Sequence, residues 1–169
     1  MFMYASAPRA GFARRLSAII YDVLVLCAVV MAAAGLAFML VHGLDILQLV
    51  DLTQYEDTAD FFSHGLQRWL YFAYLLSAAV GFYAYFWVRA GQTLGMRAWR
   101  LLLLQQSGQK ITFQQAVFRA LLAFAGLGNF WLFIRWGKGL ALQDQLTNTQ
   151  MVLISKEQSK QLNLYKTAR

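Results

Sequence analysis

The sequence is poor in nearly everything that builds a soluble domain or an enzyme. It has one cysteine, Cys27, which excludes an intramolecular disulfide framework and a cysteine-cluster metal site. Its one proline excludes a proline-rich linker. Charged residues make up 14%, against about 25% in soluble domains. Of its 2 histidines, His42 and His64 flank an acidic loop without ligand spacing, so they read as loop residues and no metal is expected. A Walker loop, a histidine pair at helical spacing and a Gly-x-Ser-x-Gly elbow are all missing. No nucleophile has an evident base. The expectation is therefore no enzyme and no cofactor.

What is present is apolar: 59% of residues. A soluble fold of that composition would expose large sticky patches, so the chain reads as an integral membrane protein. Leu16–Leu40 is interrupted only by Ser17, Tyr21 and Asp22. As a helix it reaches roughly 37 Å, enough to cross a core of about 30 Å. A signal peptide would have a shorter apolar region, of about 7–15 residues, and rarely an aspartate. The second span is Leu66–Val88. Trp69, Tyr71 and Tyr74 near its start, and Tyr83, Tyr85 and Trp87 near its end, suggest an aromatic belt at each interface. Ala73, Ser77 and Gly81 recur every four residues, a small-residue line for the close approach of another helix.

The net charge of +7 is unevenly distributed. Val41–Gly65 holds Asp45, Asp51, Glu56, Asp57 and Asp60 without a lysine or arginine. Arg9, Arg14 and Arg15 precede the first span; Arg89, Arg97, Arg100 and Lys110 follow the second. Basic loops stay cytoplasmic, which puts the N-terminus inside and loop 41–65 outside. No nucleic-acid partner is needed to explain the basic balance.

The third apolar stretch, Phe113–Trp136, begins at a capping-box pattern, Thr112 with Gln115. Gly126, Gly128 and Asn129 then interrupt it. A single crossing would put Lys138, Lys156, Lys160, Lys166 and Arg169 outside. A broken helical hairpin hinged at the glycine cluster keeps them inside and is the favoured reading over a third full span. Leu101–Gln106 and Lys110–Phe113 flank the turn-like Ser107-Gly108-Gln109 as one short piece, Thr149–Ile154 is a second β-prone run, and the two could pair as a small cytoplasmic sheet. Leu44–Leu52 fits a short helix on the outer surface. The predicted class is all-α integral membrane: two transmembrane helices, a third inserted segment and a possible β element. The domain runs over 10–154, followed by a polar basic tail, 155–169.

Three charged residues interrupt the apolar pattern. Asp22 lies about two turns inside the first span, where a lone aspartate is unfavourable by about 2.5–3.5 kcal/mol at mid-depth. Arg15 lies seven positions earlier, on nearly the same helix face. Arg119 sits inside the third stretch and must snorkel or meet a carboxylate. Asp144 is the only acid between Asp60 and Glu157. It suits a helix cap or a site equally. Gly91-Gln92-Thr93-Leu94-Gly95 either turns a helix end into a loop or forms a backbone nest for an anion.

Three stretches resemble the RDD family of membrane proteins. They are Gly11-Phe12-Ala13-Arg14-Arg15 running through to Tyr21-Asp22, then Gly91-Gln92-Thr93-Leu94-Gly95-Met96-Arg97, then Asp144-Gln145-Leu146-Thr147-Asn148-Thr149. The resemblance implies that Arg15, Asp22 and Asp144 are the arginine and two aspartates that give the family its name. It also implies a membrane domain with suspected transport. Met96 stands where the family usually has a basic residue, and Asn148 where it usually has glycine. Asparagine tolerates the left-handed conformation that such a turn requires. These residues predict one polar cluster of Arg15, Asp22, Asp144 and Arg119 near the cytoplasmic face. The expected function is transport of small ions or solutes by an oligomer in the plasma or bacterial inner membrane. The alternative is a scaffold or assembly factor of a larger membrane complex.

Overall fold

The computed structural model describes residue 4, residues 7–123 and residues 140–161. The first helix, α1, runs over Phe12–Ile46, and α3 over Gly65–Ala90, with the four-residue α2, Thr58–Phe61, between them. Only 6% and 17% of the most apolar windows of α1 and α3 are buried inside the chain, so neither is the core helix of a soluble fold. Apolar on all sides and long enough to cross a bilayer, they suit hydrocarbon. Then follow α4 (Leu94–Ala98), β1 (Leu101–Gln105), α5 (Phe113–Ala123), α6 (Leu142–Leu146), β2 (Thr149–Leu153) and α7 (Lys156–Gln161). The hinge Gly126, Gly128, Asn129, and with it the return of the hairpin, lies outside the described residues.

Two compact units share the long helices. The first comprises Met1–Leu24 and Val80–Arg169. Its center is the antiparallel pair β1–β2, with Leu101 opposite Leu153 and Leu103 opposite Met151. Leu101, Leu102, Leu103 and Leu104 are all fully buried. A continuous apolar run is what a strand covered on both faces demands. Leu101, Leu103 and Met151 pack on one face with Ala18, Ala84 and Trp87, and Leu102, Leu104, Val152 and Ile154 on the other. Burying each leucine stabilises by about 1.5–3 kcal/mol before entropy is counted. The outer edges are partly paired. Ala10 donates to the Met151 carbonyl at 2.8 Å, Leu153 to that of Pro8 at 2.8 Å, and Leu103 to that of Gly91 at 2.8 Å. Gly91 has φ +69°, and a Cβ there would lie 3.0 Å from the Leu103 carbonyl, so glycine is required both to end α3 and to let β1 close in.

The second unit is Val25–Ala79. Here α1 does not give way to a separate surface helix over Leu44–Leu52, as its polar spacing suggested. It continues to Ile46 and stops in a left-handed turn at Gln48, φ +58°. The Leu49 and Gln48 N–H groups reach back to the carbonyls of Leu44 and Asp45, the pairing that satisfies terminal helix carbonyls. Asp57 caps α2, accepting the Asp60 N–H at 2.7 Å. Phe62 stacks on Tyr71 with centroids 4.3 Å apart and on Phe38 at 5.4 Å, which ties the loop to both helices. The Tyr74 hydroxyl donates to the Ala33 carbonyl across the helix pair at 3.1 Å.

Candidate functional site

Arg15 enters the site from the first turns of α1. Its Nε donates to the Ala10 carbonyl at 3.0 Å. Its terminal nitrogen lies 2.7 Å from one oxygen of Asp144. Arg119 reaches the other oxygen from α5 at 2.6 Å. The sequence brings α5 here through the capping box it announces. Thr112 N–H donates to Gln115 Oε1 at 3.0 Å, and Gln115 N–H returns to Thr112 Oγ1 at 3.2 Å. The Gln115 amide nitrogen then donates to the Thr147 carbonyl at 3.0 Å, joining α5 to the end of α6. Asp144 is held at the start of α6, where it accepts the Ala141 N–H at 2.9 Å. It is therefore both cap and ion-pair partner.

All three charged groups are buried: Arg15 and Arg119 are 1% exposed and Asp144 0%. Two arginines and one aspartate leave an excess positive charge, which other groups share. Arg119 donates to Thr149 Oγ1 at 2.6 Å, and its guanidinium lies 5.6 Å from the centroid of Trp87, a cation–π contact. The Trp87 N–H points to the Met96 sulfur at 3.3 Å. Thr149 and Thr147 hydroxyls are 2.8 Å apart. Burial alone would raise the Asp144 carboxyl, but Arg119 and then Arg15 outweigh it and hold the group below the usual carboxylate range.

Asp22 does not join this cluster. Its face of α1 is the one expected, but its partners come from the segment after α3. Thr93 Oγ1 donates to one carboxylate oxygen at 2.5 Å and the Gly95 N–H to the other at 2.8 Å. Thr93 also caps α4 by accepting the Met96 N–H at 3.2 Å. A Cβ on Gly95 would collide with the Ala18 carbonyl and come within 2.9 Å of Asp22. The glycine motif thus turns the end of α3 and presents its N–H to the protein's own carboxylate. Asp22 is 2% exposed. Among the described residues no arginine or lysine forms an ion pair with it. The expected four-member cluster divides into a three-member charged group and a separate carboxylate with neutral donors. Seven positions place Arg15 and Asp22 on one face but two turns apart, so each meets a different element.

This arrangement of the three motifs agrees with a family match. The model of the RDD family matches residues 9–148. The chain belongs to the RDD family. No curated protein and no solved structure matches it. In this RDD protein Asn148, at the usual glycine position, has φ +51°, the conformation expected of it.

The small-residue stripe of α3 is turned outward. Ala73, Ser77 and Gly81 are all exposed, and a Cβ at Gly81 would meet nothing within 4 Å. The stripe is not the face on which α3 packs within the described chain; Phe82, Ala84 and Trp87 are. Trp87 is 7% exposed and lies beneath Arg119, whereas Trp69 and Tyr85 are exposed as belt residues should be. The His64 ring nitrogen sits 2.9 Å from the Asp60 carbonyl. Among the described residues, no group of three or more metal-ligating side chains converges. Thr93, Gly95, Trp87, Thr147 and Thr149 complete the two sites. Of these, Thr93 and Gly95 lie in the glycine motif and Thr147 and Thr149 in the closing motif read from the sequence, whereas nothing there marked Trp87 as a partner of Arg119.

Proposed function

We propose that this RDD protein is a transporter, or a transporter component, for small ions, with Asp22 as the ion-handling group. The observation that carries this reading is the company Asp22 keeps: a hydroxyl and an amide N–H, with no ion pair among the described residues. An intramembrane carboxylate whose charge is left uncancelled is the group available to take a proton or a small cation. Asp144, clamped by two arginines, then serves to hold α1, α5 and α6 together.

A chain of 169 residues with two candidate spans among its described residues is too small to enclose a path alone, so the reading requires a homo-oligomer. It resides in the plasma or bacterial inner membrane, N-terminus cytoplasmic and loop 41–65 outside. The contact of Asp144 with Arg15 at the start of α1 supports a cytoplasmic place for α6 as well. Neither catalysis nor nucleic acid enters this account. The test is cation-driven collapse of a pH gradient in proteoliposomes holding the purified chain. The wild type should collapse it, and Asp22→Asn, folded, should behave as empty vesicles. Wild-type vesicles no faster than empty ones would reject transport.

The exposed stripe Ala73, Ser77, Gly81 favours a second reading, a scaffold within a larger membrane complex. Mild-detergent purification separates the two: a self-only oligomer agrees with transport, and a stoichiometric foreign chain with the scaffold.

A further inference from the structure

We propose that the cleft between the end of α4 and the start of α7 binds the phosphate of an anionic phospholipid headgroup. The cleft has a volume of about 540 Å³ and is lined by Arg97, Ala98, Arg100, Lys156 and Ser159. That size lies within the range of small-ligand sites, about 300–1,000 Å³. Among the described residues its lining has three cations, a hydroxyl-bearing serine and no acid. Like charges brought together repel unless an anion occupies the space between them. The nearest acid on α7, Glu157, feels Arg100 but accepts the Ser155 hydroxyl at 2.9 Å and is outside the lining.

The backbone fixes the position of Arg100. Arg100 holds φ +56°, an unfavourable conformation for a residue with a side chain. It is pinned on both sides, donating to the Arg97 carbonyl at 3.2 Å and accepting the Ile154 N–H at 3.0 Å. An arginine kept where glycine or asparagine would relieve strain fits a residue needed for its charge.

Position argues for a lipid rather than a free anion. Arg97 follows the end of α3 by only seven residues, so the cleft lies beside the end of a membrane span. Between the two arginines, Trp99 meets Tyr21 of α1 edge to face at 6.5 Å. Tyr21 is 55% exposed and Ile20 58%, an apolar surface against which an acyl chain can lie. Guanidinium groups match phosphate oxygens with paired donors, and each juxtamembrane cation adds about fivefold to anionic-lipid affinity. The site is distinct from Asp22 and stands whether or not that carboxylate handles ions.

The experiment is native mass spectrometry of the purified full chain in neutral detergent. Short-chain phosphatidylglycerol, short-chain phosphatidylcholine or inorganic phosphate is added. We expect phosphatidylglycerol to be retained at least about 25-fold over phosphatidylcholine, from two or more cations at about fivefold each. The double change Arg97→Gln with Arg100→Gln should reduce retention about 25-fold, and Lys156→Gln about fivefold. Lys110→Gln, exposed and outside the cleft, should change it less than about twofold. The single Lys156 variant carries the test if the double variant does not elute as a folded species. Equal retention of both lipids, or undiminished retention by the Lys156 variant, would overturn the proposal. Inorganic phosphate binding that phosphatidylglycerol does not displace would assign the cleft to a free anion and overturn the lipid.

Discussion

The two units of this RDD protein solve the same problem with opposite chemistry. Both must fasten loops to helices whose sides are mostly turned outward. The acidic-loop unit does it with rings: Phe62 against Tyr71 and Phe38, and Tyr55 against Phe61 at 5.2 Å. Its acids serve turns and caps, as Asp57 does for α2. The other unit buries Arg15, Arg119 and Asp144 beside a sheet whose leucines are fully covered. Stacked rings lose little when one contact loosens, because the loop can settle against the next ring. A buried ion group has no such gradation, since removing one partner strands another charge. The charged unit should therefore be the brittle one and the aromatic unit the tolerant one.

The largest break in that contrast should come from Asp144→Asn. It leaves two buried arginines without their carboxylate, and a loss of about 3–5 kcal/mol is expected. Denaturant unfolding in detergent, followed by tryptophan fluorescence, would read it; a loss below about 1 kcal/mol would show that the arginines find other partners. Gly95→Ala comes next. The added carbon strikes the Ala18 backbone and crowds Asp22, so about 2–3 kcal/mol should go, with a matching fall in the unfolding midpoint. In the aromatic unit, Phe62→Ala should cost less, about 1–2 kcal/mol, because Phe62 is only half-buried. A larger effect than that of Asp144→Asn would reverse the comparison.

Acid sharpens the contrast with a smaller effect. The folded Asp144 carboxyl lies below its ordinary value of 3.8. A depressed folded value means that its contribution is complete above 3.8 and is lost as pH falls from there through the folded value. Stability should stay level in this respect down to about pH 4 and then decline. The decline should be shallower in Asp144→Asn, measured as unfolding midpoint against pH.

Local chemistry was legible in the sequence, and through-space pairing was not. Both spans, the Thr112–Gln115 box and the β-prone runs follow from patterns along the chain, and the left-handed Asn148 from the resemblance to the family. The partners of Asp22 lie 71 and 73 positions away, and no periodicity reports such a distance. Two arginines and two aspartates neutralise one another on paper, which is why a single cluster looked natural. The glycine motif instead supplied an internal donor for the carboxylate that the arginines did not reach. Trp87 departs from the belt expectation for a related reason: an aromatic near a span end suits an interface and equally suits a cover for a buried guanidinium. The polar spacing of Leu44–Leu52 suited a surface helix and equally a helix end with its turn.

The claim at the center is that Arg15 neutralises Asp144 and not Asp22. A double-mutant cycle on unfolding free energy tests it directly, using Arg15→Gln with Asp144→Asn and, in parallel, Arg15→Gln with Asp22→Asn. The first pair, in direct contact, should couple by more than about 1 kcal/mol, and the second by less than about 0.5 kcal/mol. Coupling between Arg15 and Asp22 as large as that between Arg15 and Asp144 would contradict the account.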